Sequence, residues 1–318
     1  MTGTGTSGVH DSGEPAAGTA VASLLGPRPV VIVPLPTGDP ARDQANIEAA
    51  LAEGSARKEE VFFPASRTWQ LIRPLLIGQG SVCPPKISGL ASRLVATSVM
   101  GGAKPMTGVI TVWNPQALVD RFELSGLILD AANFTFRCLT IHGMQDGYIH
   151  DLSLLNAASI GLALDGGDGH GIYTSEIGRI KILKCGYVGA QFLSENFATD
   201  PGGSRIQAND IHGLKIMQCG GQPGGGGGGI MCDGFQGKIR NTDCEQNTGF
   251  GCFIRNTREI VLDEMYFEAN MLNGVDTCVV IDNANIPAPS SDPANPIEGV
   301  KRIGGHWIGQ IQGRFAGV

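Results

Sequence analysis

Between Leu164 and Ile172 the chain reads Asp165-Gly166-Gly167-Asp168-Gly169-His170-Gly171. Two carboxylates and an imidazole in one Gly-rich stretch are the groups that general acid–base catalysis uses. Cleaving a glycosidic bond in this way needs two carboxyl groups about 5 to 9.5 Å apart. Asp165, Asp168, Glu195 and Asp233 are the catalytic candidates, and His170, Tyr173 and Arg255 the candidates for holding a substrate. Arg255 suits an acidic group, and the ring of Tyr173 suits stacking. The competing explanation is that Asp and Asn at Gly-flanked turns hydrogen-bond their own backbone. Asp165 and Asp168 lack the alternating spacing of calcium loops, so no metal is assigned, and no cofactor motif is found.

Carboxylates this far apart in sequence need a framework to bring them together, and the sequence contains one. An alternating apolar phrase recurs from Phe122 to Asn283, starting at Leu127, Leu152, Ile180, Leu214, Ile239 and Leu262, in steps of 25, 28, 34, 25 and 23 residues. Period-two alternation marks strands, and repetition at this length marks a solenoid. A second strand set carries Asp165, Leu193, Asp233, Arg255 and Asp282 at equivalent corners of successive rungs. Rungs of a parallel array lie about 4.8 Å apart, so Asp165 and Asp233 sit two rungs apart, near the upper carboxyl-pair limit. Three insertions, Asn196 to Asn209, Gly220 to Gly229 and Ala284 to Glu298, are expected to decorate the shaft, as inserted loops in repeat arrays usually share one face.

Composition agrees with this plan. The 318 residues include 47 glycines, about twice the usual share, as many tight turns require. A net charge of −7 with no basic stripe argues against a nucleic-acid partner. No apolar run is long enough to cross a membrane, and residues 1–20 lack the pattern of a secretory signal. The eight cysteines form no CxxC pair and mostly fall in apolar phrases, which predicts buried, reduced thiols. Residues 1–26 are too poor in large apolar groups to fold alone and are expected to be a leader or an attachment arm. Residues 27–120 read as an N-terminal cap with the first rungs, and 121–318 as the repeating shaft.

Asp39-Pro40 suits a helix start, with Ile47, Ala50, Leu51 and Gly54 on one stripe. After it come Val61-Phe62-Phe63-Pro64-Ala65, Trp69, Leu71-Ile72, Pro74-Leu75 and Ile77. With Asp43 and the Ala50-Leu51 pair, this order resembles the start of the pectate-lyase-like superfamily of right-handed parallel β-helices, whose members include phage tail spikes and polysaccharide depolymerases. Ser66 stands where the family pattern has Gly, and Trp69 where it has Tyr. Gly169-His170-Gly171, Arg179-Ile180-Lys181 and Asn241-Thr242-Asp243 look like polygalacturonase tripeptides, but their order is scrambled and that family's Asp pair is missing.

The expected fold is thus all-β, a right-handed parallel β-helix with a short N-terminal capping helix. The resemblance implies a polysaccharide partner, cleavage by hydrolysis or β-elimination, trimeric assembly and a virion-associated protein, cytoplasmic before assembly. A non-catalytic structural or adhesion component and a sugar epimerase are the alternatives, because one scaffold hosts many activities. The other histidines, His142, His150, His212 and His306, show no clustering at ligand spacing. Trp69, Trp113, Trp307, Tyr148, Tyr187 and Tyr266 join Tyr173 as possible sugar-stacking rings.

Overall fold

The computed structural model describes residues 29–79, 82–100, 107–167, 169–194, 205–221, 227–257, 260–273, 275–282, 300–303, 306–307 and 310–314. Asp168, Glu195, the 1–26 arm and most of the three insertions lie outside the described residues. Asp39 caps the helix Pro40–Arg57 by accepting the Ala41 and Arg42 amides at 2.9 and 3.3 Å. Ile47, Ala50, Leu51 and Gly54 form its buried stripe, which packs on the strands Val30–Ile32, Glu60–Phe63 and Thr68–Leu71. This helix covers the start of the solenoid, where backbone would otherwise meet water.

The residues behind the family resemblance have identifiable tasks. Buried Asp43 accepts the Thr37 amide at 2.7 Å and the Gln70 amide at 3.2 Å, tying the helix to the first rung. Ser66 adopts φ +52°, the conformation that favours Gly at that place in the pattern. Trp69 is fully buried, donates Nε1–H to the Pro34 carbonyl at 2.9 Å and meets Phe63 edge-on at 5.2 Å. It is a core residue, which removes it from the sugar-stacking candidates.

Two parallel sheets run the length of the shaft. The first contains the long strands Lys86–Ala96, Glu123–Asp130, Tyr148–Leu155, Glu176–Leu183, Ile206–Met217, Phe235–Glu245 and Ile260–Glu268, each paired to the next. The second starts with Leu75–Ile77, Gly108–Trp113 and Arg137–His142. It continues through Ile160–Gly166, Val188–Ser194, Gly228–Asp233, Phe250–Arg255, Val275–Asp282 and Gln310–Arg314. One turn of chain visits both sheets, and the result is a right-handed parallel β-helix.

Columns of left-handed residues make the rungs bend. Gly126, Asp151, Arg179, Gly213, Asn241 and Glu264, all at positive φ, follow one another across the middle of the first sheet. Asn156, Lys184, Gln218, Gln246 and Ala269 form a second column where the chain leaves that sheet. Gly161 and Gly189, in neighbouring rungs, mark where it enters the second sheet, and a Cβ there would overlap Ile182 and Ile216. Arg179 and Asn241 thus belong to one bend column, so Arg179-Ile180-Lys181 and Asn241-Thr242-Asp243 are pieces of the repeat.

The register corrects one sequence expectation. Leu127, Leu152, Ile180 and Leu214 are equivalent, but the next members of that column are Thr242 and Met265. Ile239 and Leu262 align three residues earlier, with Ile211. The alternation failed there because the inward position holds Thr242, a buried polar residue whose hydroxyl binds the Arg240 carbonyl at 3.0 Å. All eight cysteines are free, and seven are buried. Burial pushes the Cys138 thiol up to about 12.

Candidate functional site at the end of the second sheet

The second-sheet strands end in one outward column. Trp113 pairs with His142, Asp165 follows the Ile141–Leu164 pair beside His142, and Leu193, Asp233, Arg255 and Asp282 continue in register. The sequence-predicted corner line therefore exists, with Asp165 and Asp233 two rungs, about 9.6 Å, apart along the axis.

The Asp165-to-Gly171 stretch is a tight reversal. Gly167 and His170 exchange backbone hydrogen bonds at 2.9 and 2.8 Å, and Gly169 takes φ +80°. The reversal carries His170 back over the neighbouring rung, where Gly143 leaves room for its ring. His170 lies 5.8 Å from His142, and His142 lies 6.3 Å from Trp113. His142 thus joins a ring cluster with His170 and Trp113, although not at metal-ligand spacing. The missed signal was its place before a positive-φ Gly, in register with Asp165.

Asp165 is buried and its Oδ2 binds Arg137, also buried. Its Oδ1 has no hydrogen-bond partner among the described residues. Arg137 opens its strand and was not anticipated, since an Arg in an apolar run gives no sign of its partner. Asp233 is tied more completely: Arg255 Nε and Nη2 donate to Oδ2 at 3.1 and 2.5 Å, and Asn256 Nδ2 to Oδ1 at 2.7 Å. These bonds to Asp233 raise the Arg255 pKa, while its guanidinium also lies 6.0 Å from the Phe253 ring. Tyr173 is half-buried in the short strand Ile172–Tyr173, which pairs with Met144–Gln145.

The site candidates therefore divide into two groups. Asp165 stands in register with His142 and binds Arg137, and the His142 ring lies between those of His170 and Trp113, whereas Asp233 and Arg255 form a separate pair two rungs further on. Both described carboxylates are bound to guanidinium partners, so neither is placed as a ready proton donor. No group of His, Cys, Asp or Glu suited to a metal occurs among the described residues. Of the insertions, the one after Ser194 and the one after Asp282 leave at this end of the second sheet. Gly228, which follows the Gly run, starts its strand at the opposite end, and the faces on which the insertions themselves lie fall outside the described residues. Asn209 belongs to a strand, not to an insertion: buried, it accepts the Ser175 amide at 2.9 Å and donates to the Ile172 carbonyl at 2.8 Å.

No family model and no curated protein matches the chain. Among solved structures, it is similar to full-length tailspike protein 2 from Escherichia coli O157:H7 bacteriophage CAB120, with 14% identity and a TM-score of 0.53 over 74% of this chain. It is similar also to the enzymatically active domain of bacteriophage CBA120 tailspike protein 2, with 15% identity and a TM-score of 0.54 over 84% of this chain. The chain spans 34% of the former and 43% of the latter. An alginate lyase from Paenibacillus sp. str. FPU-7 shares 12% identity at a TM-score of 0.52, covering 89% of this chain and 99% of that one. Likeness at these identities establishes the fold, a right-handed parallel β-helix.

Proposed function

We propose that the chain binds a polysaccharide along the column from Trp113 to Asp282 and cleaves it beside His142, where Asp165 and His170 flank that residue. The observation that carries this reading is the packing of Trp113, His142 and His170 beside the Asp165–Arg137 pair at the strand ends. An aromatic ring, imidazoles and a carboxylate with an oxygen that has no partner among the described residues are parts a sugar-cleaving centre uses. In this reading Asp165 accepts or orients a proton, His170 transfers one, and Asp233 with Arg255 holds the glycan further along. The tailspike and alginate lyase likenesses support polysaccharide as the ligand class. Trimeric assembly and docking through residues 1–26 belong to the same proposal, and sedimentation with and without that segment reads both.

The test is release of reducing ends and of unsaturated sugar ends from a panel of acidic and neutral polysaccharides. Unsaturated ends identify elimination, and reducing ends alone identify hydrolysis. His170→Gln is expected to lower the rate about 10²- to 10⁴-fold without changing the melting temperature. Full activity in that variant, or no release across the panel, contradicts cleavage. A non-catalytic binding role is the second reading, favoured by the mutual satisfaction of Asp233, Arg255 and Asn256. It predicts glycan binding with no release of ends.

A further inference from the structure

The edge where the chain passes from the first sheet to the second carries a groove of about 400 Å³, within the usual range of ligand sites. It lies at the opposite end of the second-sheet strands from the Asp165 column. Its floor is Ala158 and Gly186, and its rim is Asn133, Lys184 and Gln218. These three rim residues take φ +61°, +57° and +57°; Lys184 and Gln218 lie on successive rungs, and Asn133 lies two rungs before Lys184, beyond Asn156.

Two further observations separate this edge from ordinary surface. Many outward charges of the first sheet pair with one another, Arg179 with Asp151, His212 with Glu176, Arg240 with Asp210, and Lys238 with Asp263, although exposed Lys181 on the same sheet has no such pair among the described residues. The side chains of Asn133, Lys184 and Gln218 have no hydrogen bond or ion pair among the described residues. Aromatic residues also stand next to this edge, although none of them lines the groove itself. The Phe136 carbonyl accepts the Ser159 amide at 3.0 Å, and the Ser159 carbonyl accepts the Tyr187 amide at 2.8 Å. Phe136 and Tyr187 therefore stand in one column two rungs, about 9.6 Å, apart. Phe136 is 53% exposed and Phe134 44%, in a fold that buries most of its large apolar groups.

We infer that this groove is a second glycan-binding site, for a carboxylated oligosaccharide lying along the helix axis. Phe136 and Tyr187 offer stacking faces to two sugar rings, and the amides of Asn133 and Gln218 bond hydroxyls. Lys184, the one charged side chain lining the groove, receives a carboxylate. The small floor lets the sugar chain approach the backbone. The inference rests on the polysaccharide reading for its ligand class, but uses none of the residues proposed for cleavage.

Affinity electrophoresis in gels containing alginate, with dextran gels as the neutral arm, tests it. Wild type is expected to be retarded more by alginate than by dextran. Phe136→Ala and Tyr187→Ala should each weaken retardation about five- to tenfold, and Lys184→Gln should remove the preference for alginate. All three positions lie at the surface or half-buried, and unchanged melting curves confirm folding. The groove is overturned if its variants migrate as wild type while His170→Gln loses retardation. Equal retardation by dextran and alginate overturns the carboxylate assignment. Absent retardation with end release intact overturns the groove alone, whereas absence of both overturns the corner reading as well.

Discussion

Asp233 and Arg255 look like a catalytic carboxylate and a substrate clamp, yet each supplies what the other lacks. Three charge-assisted bonds converge on a carboxyl group that is 7% exposed. Asp233→Asn is therefore expected to lower stability by about 1.5 to 3 kcal/mol in a denaturant titration, because bonds to a charged acceptor are lost. Unchanged stability with abolished cleavage would return Asp233 to the catalytic set. Asp165 differs, since its buried Oδ1 has no hydrogen-bond partner among the described residues. Asp165→Asn leaves the buried Arg137 without its counter-charge and should destabilise the fold by about 3 to 5 kcal/mol, so His170→Gln is the cleaner probe of chemistry. The corner positions were legible because equivalent residues stack. Their partners Arg137 and Asn256 were not, because no period in the sequence marks a hydrogen bond that crosses rungs.

At the scale of strands, the bends are the most constrained features. Gly189 leaves no room for a side chain beside Ile216, so Gly189→Ala should cost about 1 to 3 kcal/mol through overpacking, measured as a lower melting temperature. No loss would mean that the rung widens freely. Between strands, acidic groups are held charged across the first sheet. The hydrogen bond from Arg179 is the main cause that brings Asp151 to about 2, and that from Arg240 lowers Asp210. In Glu123 burial raises the pKa, but bonds from Lys86 and His150 outweigh it. Depressed folded pKa values give stability that is complete above the ordinary carboxylate range, near 4, and lost as pH falls toward about 2. The melting temperature should drop in that window. Asp151→Asn with Asp210→Asn should flatten the drop, and an unaltered slope would show that these exposed pairs contribute nothing.

At the same scale, the capping helix could be read from Asp39, Pro40 and an apolar stripe, since each acts locally. The slip at Ile239 arose where Thr242 replaced an aliphatic residue on the inside of the shaft. Strand alternation locates apolar columns, and a satisfied buried hydroxyl is invisible to it.

Across the whole molecule, the repeat converts distance along the sequence into distance along an axis. It sets His142, Asp165, Asp233, Arg255 and Asp282 in one line, although they span residues 142 to 282. The same regularity made the fold legible in the sequence and the function less so, because rung corners attract Asp and Asn with or without a substrate. Placing the ligand is therefore the decisive observation. A crystal of the protein soaked with an acidic oligosaccharide should show sugar against Trp113 and His170, with a glycosidic oxygen within hydrogen-bond reach of Asp165 or His170. Sugar bound elsewhere, with the Trp113-to-Asp282 column empty at saturating ligand, would contradict the assignment of this corner as the site.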